Sequence, residues 1–282
     1  MPDFWTHIIH GVETLRRGQI RVNEPRLFLL GTQGPDPFFY AYNEPHVYQW
    51  GFAIHSKKCG EFMYALLKDE EIPFSYKAGF VCHQILDGIA HRFIGYLEND
   101  ARHKKREMTI DKAIVRKFLN RSLSQVKSWK VFENMHLSPL SRRMMLIIAK
   151  VYETRDIEEC YFEHSVQMMC NVLKKLYNNF HFKHFLAYIV NILTLGIKNY
   201  LPLFPYILPH DILNEKKREW IDTITGKKRN ESFLEILERT IVEAIHALKT
   251  LREGKIPDIV DMNFQNGHKT TRVKVETCSE GV

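Results

Sequence analysis

The stretch that decides the fold is HQILDGIAHRFIGYLENDARHKKREMTID, residues 83–111. It contains two triplets of metal-ligand side chains at steps of four: His83, Asp87 and His91, then His103, Glu107 and Asp111. An α-helix turns about 100° per residue, so positions i, i+4 and i+8 lie on one face. Neutral imidazole and carboxylate are the ligands that zinc takes outside cysteine sites. The spacing therefore predicts two helical faces that each carry ligands for a transition metal.

The two triplets differ in what each could hold. A single His and Asp pair at i, i+4 is a common contact on a helix, but two consecutive columns of three favour metal binding. The Asp87 carboxylate can bridge two metals, and His103 with Glu107 can hold one metal together. Asp111 is then a supporting carboxylate, because a ligating His usually donates its second ring N–H to such a group.

Other candidate ligands lie earlier in the chain: His7, His10, Asp36 in the Gly/Pro loop 31–36, and His55. With the two columns they could serve two or three zinc ions. The histidines without such partners are interpreted as structural or surface side chains: His136, His164, His181, His184, His210, His246 and His268. The aromatic residues that follow Asp36 could line an apolar substrate cleft, although core packing is the usual role of such a cluster: Phe38, Phe39, Tyr40 and Tyr42.

The hydrophobic residues mostly recur with a helical period, which predicts an all-α fold. Ser232, with Glu235 three residues later and Gly254 after the end, predicts a capped final helix. The predicted helices cover residues 75–97, 109–126, 140–151, 160–177 and 232–251, with a buried helix at 185–197. We expect a single multi-helix domain over residues 1–254 and a polar C-terminal tail over 255–282 that pairs locally or frays.

Composition narrows the class of protein and its location. The chain has 282 residues and a net charge of +7, which suits a phosphate-bearing partner, although charge alone is equally compatible with none. Its five cysteines are odd in number and lack CxxC spacing, as expected in a reducing compartment. The N-terminus lacks the plan of a signal peptide, and the apolar run 185–197 is too short to span a bilayer. We therefore expect a cytoplasmic protein with at most peripheral membrane contact.

Neighbouring zinc ions predict a class of reaction. Metals about 3.5–4 Å apart can stabilise both the attacking and the leaving oxygen of a phosphoester. Each metal also lowers the pKa of a bound water, and a carboxylate near that water can act as general base. The ligand set therefore favours hydrolysis of a phosphodiester.

The order of these motifs resembles the zinc-dependent phospholipase C family, which is related in fold to the P1/S1 nucleases. The similar segments are PDFWTH at 2–7, GPD at 34–36, HSKKCGEF at 55–62, GFVCHQILDGIAHRFIGY at 79–96 and HKKREMTID at 103–111. The resemblance lies mainly in residues 1 to about 120. A weaker likeness at residues 214–238 is to bacterial members without signal peptides.

The resemblance implies an all-helical domain with a zinc cluster in a cleft. It implies one zinc on Asp36, His55, His83 and Asp87, a second on His91, His103 and Glu107, and a third on His7 with Asp87 as bridge. It also implies that Asp36 is the general base for the attacking water. In secreted members a mature N-terminal Trp completes the third site, so this chain, in which no signal peptide precedes Trp5, is expected to use His10 or a water instead.

The implied function is zinc-dependent hydrolysis of a phosphodiester, with a phospholipid head group as the favoured substrate. One alternative is a single-strand nuclease or nucleotidase of the P1 type, in which aromatic side chains near the same metals stack on bases. Another is a non-catalytic module stabilised by zinc. No stable nucleic-acid partner is expected.

Overall fold

The computed structural model describes residues 3–95, 100–177, 211–222 and 224–268. Its α-helices are α1 (Phe4–Gly18), α2 (Pro25–Gly31), α3 (Pro45–Ser56), α4 (Cys59–Lys68), α5 (Phe74–Ile94), α6 (Asp100–Leu119), α7 (Ser138–Tyr152), α8 (Tyr161–Tyr177) and α9 (Phe233–Arg252). Short 3₁₀ helices cover Asp36–Tyr40, Ser128–Val131 and Asp258–Asp261. Strands β1 (Trp220–Ile221) and β2 (Lys228–Arg229) pair antiparallel. The all-α prediction is confirmed.

Helix α5 lies at the centre of the described fold. Its buried residues point in every direction around the axis, as expected for a helix enclosed by protein on all sides. Helices α1, α2 and α9 pack against it. It ends at Ile94, three residues earlier than predicted, because Gly95 adopts the left-handed conformation (φ 93°) and closes the last turn.

The crossing of α2 over α5 is a contact between main chains. A Cβ atom on Gly31 would lie 2.2 Å from the Tyr76 carbonyl oxygen, and one on Gly79 would lie 2.1 Å from the Phe28 carbonyl oxygen. Only hydrogen fits at either position. This close approach places the loop that follows α2, with Asp36, directly over the middle of α5.

Several helix boundaries differ from the predicted ones. The predicted helix 109–126 is the second half of α6, which begins at Asp100 and ends at Leu119. It stops there because Asn120 takes a positive φ of 50°, which breaks the helical repeat. Helix α9 has the predicted capping box: the Glu235 N–H donates to Ser232 Oγ over 3.3 Å, and the Ser232 N–H donates to Glu235 Oε2 over 2.9 Å. Gly254 follows its end with a φ of 77°.

Residues 255–268 belong to the tail expected from the sequence, but they pack against the helical core. Phe264 is fully buried, and Met262 and Asn263 are each 6% exposed. The burial follows from the apolar side chains spaced through this polar stretch, of which Met262 packs against Gly88 of α5. The side-chain amide of Gln84 donates to the Met262 carbonyl oxygen over 2.8 Å and anchors the segment there.

Among the helices that the structure describes, none is both long and apolar enough to cross a bilayer. The helix predicted at 185–197 and the histidines at 181, 184 and 210 lie outside the described residues.

Candidate metal centre

Five side chains from four parts of the chain meet around one carboxylate. His7 comes from α1, Asp36 from the start of a 3₁₀ helix, His55 from the end of α3, and His83 and Asp87 from α5. Asp87 Oδ1 lies 3.2 Å from His7 Nε2, and Asp87 Oδ2 lies 3.4 Å from His55 Nε2 and 3.3 Å from His83 Nε2. Asp36 Oδ1 is 3.3 Å from His55 Nε2 and 4.0 Å from His83 Nε2. We call these five residues the main group.

The facing atoms of the main group have no hydrogen-bond partner within the described part of the chain. They are buried imidazole nitrogens and carboxylate oxygens: Nε2 of His7, His55 and His83, Oδ1 of Asp36, and both Oδ atoms of Asp87. Buried polar atoms in proteins are almost always hydrogen-bonded, and leaving one unpaired costs about 1–3 kcal/mol. A bound cation would satisfy all of these atoms together, so the donor set fits a metal.

Backbone carbonyls orient two of these imidazoles. His55 Nδ1 lies 2.6 Å from the Gly51 carbonyl oxygen, and His83 Nδ1 lies 3.1 Å from that of Thr32. A carbonyl can only accept, so each Nδ1 carries a ring proton and each Nε2 is the nitrogen that faces the cluster, where it can ligate a metal when it carries no proton. This is how metal-ligating histidines are usually held, with a main-chain acceptor as the outer partner.

A second group brings His91 of α5 together with His103 and Glu107 of α6. One nitrogen or oxygen atom of each residue lies within 4.8 Å of the others. His103 Nε2 is 2.7 Å from Glu107 Oε1, and the two imidazole rings stack with centroids 5.7 Å apart. The Gly95 carbonyl oxygen lies 3.2 Å from His103 Nδ1. The structure therefore divides the first predicted column. His83 and Asp87 belong to the main group, whereas His91 joins His103 and Glu107 of the second column.

The electrostatics of the main group favour charged carboxylates beside the imidazoles. Burial acts to lower the pKa of His55, but the carboxylates of Asp36 and Asp87 outweigh it and raise the pKa to about 9. Burial opposes ionisation of Asp87, yet His83 and its neighbouring histidines hold the pKa of Asp87 well below its ordinary value. Burial lowers the pKa of His91 to about 3, so this imidazole is neutral, as a metal ligand must be.

Asp111 does not support a ligating histidine in the way the sequence predicts. Its Oδ1 accepts from the Thr6 backbone N–H over 2.6 Å and from Thr6 Oγ1 over 2.8 Å. The prediction is wrong about the partner, because the outer nitrogens of His55, His83 and His103 are taken by main-chain carbonyls. Asp111 instead bonds to Thr6 in the first turn of α1, the residue directly before His7.

We expect Asp111→Asn to flatten the dependence of the free energy of unfolding on pH. Burial, with the Asp3 carboxylate nearby, raises the pKa of Asp111 from its ordinary 3.8 to about 8. Between these values the folded protein keeps a proton that the unfolded chain has lost. The stability that this proton contributes is complete below pH 3.8 and falls, by up to about 1.4 kcal/mol per pH unit, until about pH 8.

Urea unfolding at pH 5 and pH 8 measures this difference. Asn retains an oxygen that can accept from Thr6 but has no charge to lose, so the variant should change less between the two pH values than the wild type. Asp258→Asn, at an exposed position, is the matched control and should keep the wild-type difference. A wild-type difference in Asp111→Asn would show that Asp111 is already ionised at pH 5.

The structure also describes His10, four of the other histidines and the aromatic residues that follow Asp36. His10 is fully buried, burial lowers its pKa to about 3, and it is not among the described residues that group as metal ligands. His136, His164, His246 and His268 are exposed, as predicted. Phe38 is a core residue, whereas the ring of Phe39 stacks on His55 with centroids 5.4 Å apart.

Three features of the site carry no clear signal in the sequence. The carbonyls of Thr32 and Gly51 are one such feature, since any residue provides a carbonyl. Gly34 is another: with a φ of 51°, its missing Cβ makes room for the His83 ring, whose Cδ2 would lie 2.3 Å away. The third is Phe264, far along the chain. The Asn266–Gly267 pair predicts a turn there, but nothing in the sequence places that turn against α5.

Comparison with known proteins agrees with this geometry. The family model described as zinc-dependent phospholipase C matches residues 5–180, more than half of the chain and a range that contains all eight candidate ligands. Searches of the curated proteins and of the solved structures found no match. The chain therefore belongs to the zinc-dependent phospholipase C family.

Proposed function

We propose that this protein is a zinc-dependent phosphodiester hydrolase that acts on a phospholipid-type substrate. The observation that carries the proposal is the convergence of unpaired buried imidazole and carboxylate atoms in a member of a zinc-dependent family. The proposed ligands are His7, Asp36, His55, His83, Asp87, His91, His103 and Glu107. The two groups of donors are consistent with two or three ions.

Asp87 has the geometry of a bridging carboxylate. Its Oδ1 faces His7, while its Oδ2 faces His55 and His83, so each oxygen belongs to a different set of imidazoles. We infer that Asp87 joins the site of His55 and His83 to the site of His7. His7 would then bind the third ion, with its position set by the Asp111 contact at the start of α1.

Asp36 is the proposed general base. Its side chain is 14% exposed, whereas those of His55, His83 and Asp87 are 0–1% exposed, so it is the member of the set best placed to meet solvent. A bound zinc lowers the pKa of water and stabilises charge on phosphoryl oxygens. Asp36 would orient the attacking water and accept its proton.

The side chains around His55 offer an apolar wall for the substrate. Phe39 stacks on His55, and Phe52, 48% exposed, packs edge-on against Phe39 with centroids 4.8 Å apart. Acyl or glyceryl carbon atoms of a lipid would pack against these rings. The same rings could stack on a nucleobase, which keeps a nuclease as the second candidate.

The test compares wild type with Asp36→Asn for zinc content and for hydrolysis of phospholipid vesicles and of single-stranded DNA. Asn keeps an oxygen for the metal but cannot accept the proton, so the variant should retain zinc and lose about 10²–10⁴-fold of the rate. His246→Asn, on the exposed face of α9, is the control and should match the wild type.

The possible outcomes separate the three functions. Release of a phosphorylated head group by wild type, lost in Asp36→Asn, supports the proposal. Cleavage of DNA alone, with binding that weakens steeply as salt rises, identifies a nuclease. If Asp36→Asn has the same zinc content as the wild type, and the wild type hydrolyses neither substrate, the protein is a zinc-stabilised module. If the wild type contains no zinc, the proposed metal site is wrong.

A further inference from the structure

Residues 256–268 lie beyond the family-matched range 5–180, yet they pack directly on the candidate metal centre. We call them the C-terminal strap. They include the 3₁₀ helix Asp258–Asp261 and a turn in which the Gly267 N–H donates to the Asn263 carbonyl oxygen over 2.8 Å. The strap lies against α5, the helix that supplies His83, Asp87 and His91, with Met262 and Gly267 next to Gly88.

The main chain of the strap contacts the second ligand group. The Phe264 carbonyl oxygen lies 2.9 Å from His91 Nδ1, and the Asp87 carbonyl oxygen, one turn earlier in α5, lies 3.0 Å from the same atom. The bond to the Asp87 carbonyl lies within the helix and is available to any histidine four residues after its acceptor. The bond to Phe264 comes from outside the helix and fixes the direction in which the His91 ring faces.

The side chain of Phe264 contacts the main group. Its ring centroid lies 5.6 Å from that of His55 and 5.9 Å from that of His83, and the residue is fully buried. One residue therefore touches a histidine of the second group with its carbonyl and two histidines of the main group with its ring. The Phe264 ring packs edge-on against His55 and at a tilt of 45° against His83, and such contacts limit rotation of the imidazoles about their χ2 angles.

Hydrogen bonds and one glycine hold the strap in this position. The Asn263 side chain donates to the Ser56 carbonyl oxygen over 3.2 Å, directly after His55 in α3. Gly267 has a φ of 65°, and a Cβ there would lie 2.3 Å from the Gly88 carbonyl oxygen. The strap thus rests on the main chain of α5 and cannot shift along it without losing these contacts.

We propose that the C-terminal strap is part of the metal centre and that Phe264 is a positioning residue for His55, His83 and His91. The inference rests on the proposed metal site and extends it to a segment beyond the family-matched residues. Loss of the Phe264 ring frees the strap to move, which releases the carbonyl bond to His91 and the packing on the other two imidazoles. Outer partners of metal ligands typically contribute about 10–100-fold to metal affinity.

The test measures zinc affinity of the full chain by competition with a chelator, in Phe264→Ala, Phe264→Leu and wild type. We expect Phe264→Ala to bind zinc about 10–100-fold more weakly. Leu fills most of the lost volume, so Phe264→Leu should recover much of the affinity. The absorption bands of the cobalt-substituted protein should shift in Phe264→Ala, because these bands report ligand geometry directly.

Phe233→Ala controls for the cavity alone. Phe233 is equally buried, and among the described ring contacts it packs on Phe93 and on no candidate ligand, so its truncation should cost similar stability and leave zinc affinity unchanged. A second pair of variants tests the position of the strap without creating a cavity. Gly267→Ala should weaken zinc binding, whereas Gly254→Ala, at a φ of 77° with no described atom within 4 Å of the new Cβ, should not.

The results distinguish failure of the inference from failure of the proposed function. If wild type binds zinc but Phe264→Ala and Phe233→Ala have the same zinc affinity, the strap has only a structural role. Equal zinc affinity in Gly267→Ala and Gly254→Ala leads to the same conclusion. If wild type binds no zinc, the proposed metal site fails, and the role of the strap fails with it.

Discussion

An Asp87→Asn variant is expected to lose at least one zinc ion and about 10³-fold of kcat/KM, equivalent to about 4 kcal/mol of transition-state stabilisation. The substitution keeps the shape of the side chain but removes its charge. The amide has one oxygen and one nitrogen, so it can serve the His7 side or the His55 and His83 side, but not both. Metal analysis of the purified variant and steady-state kinetics measure the two losses.

The same variant should also change the stability of the metal-free protein. Asp87 is completely buried, and its carboxylate is the negative charge on which three imidazoles converge. Removing one partner from a buried charged set costs about 3–5 kcal/mol, because the others stay buried without compensation. Urea unfolding of the chelator-treated protein measures this cost.

Asp69→Asn is the matched control for a buried carboxylate. The Asp69 side chain is 7% exposed and paired with Arg143, and neither residue is among the candidate ligands. Its substitution should destabilise the protein without altering zinc content. Equal zinc content in Asp87→Asn and Asp69→Asn would contradict the bridging role.

A Gly34→Ala variant is the second substitution with a large expected effect. The added Cβ would lie 2.3 Å from His83 Cδ2, and the residue must keep a φ of 51°. The backbone strain costs about 1–3 kcal/mol, and overpacking against a buried ring costs a similar amount. We therefore expect a loss of about 2–6 kcal/mol in the free energy of unfolding and weaker zinc binding, as the His83 ring turns away.

Gly226→Ala isolates the backbone contribution. Gly226 has a φ of 68°, and no described atom lies within 4 Å of the Cβ that alanine would add. This variant should lose only the smaller, conformational part of the stability and keep its zinc. If both glycine variants show the same loss, contact with His83 is not what restricts position 34.

The sequence predicts the site better where ligands share a helix than where they do not. The spacing of His83, Asp87 and His91 is sufficient to place them on one face of α5, because the helix repeat converts spacing into direction. His7 and Asp36 lie on other elements, and only the ordered motifs of a related family link them to that face. The end of α6 at Leu119 depends on the positive φ of Asn120, which an amphipathic pattern does not reveal.

The supporting structure was harder to predict for a physical reason. The acceptors for His55, His83 and His91 are main-chain carbonyls, which every residue carries, so no residue type marks them. The strap at 256–268 reads as a polar tail because its few apolar residues have no helical or strand period. These residues are buried only because they pack against α5, and that contact between distant parts of the chain cannot be predicted from their own spacing.

The glycine contact between α2 and α5 bears on how such a site could be redesigned. Because main-chain atoms meet at Gly31 and Gly79, the separation of α2 from α5 at this crossing is set by the two main chains and not by the size of a side chain between them. Core substitutions away from the crossing are therefore expected to leave that separation unchanged. Moving α2 away from α5 to make room for a larger ion would have to begin at these two glycines, where a single methyl group would force the helices apart.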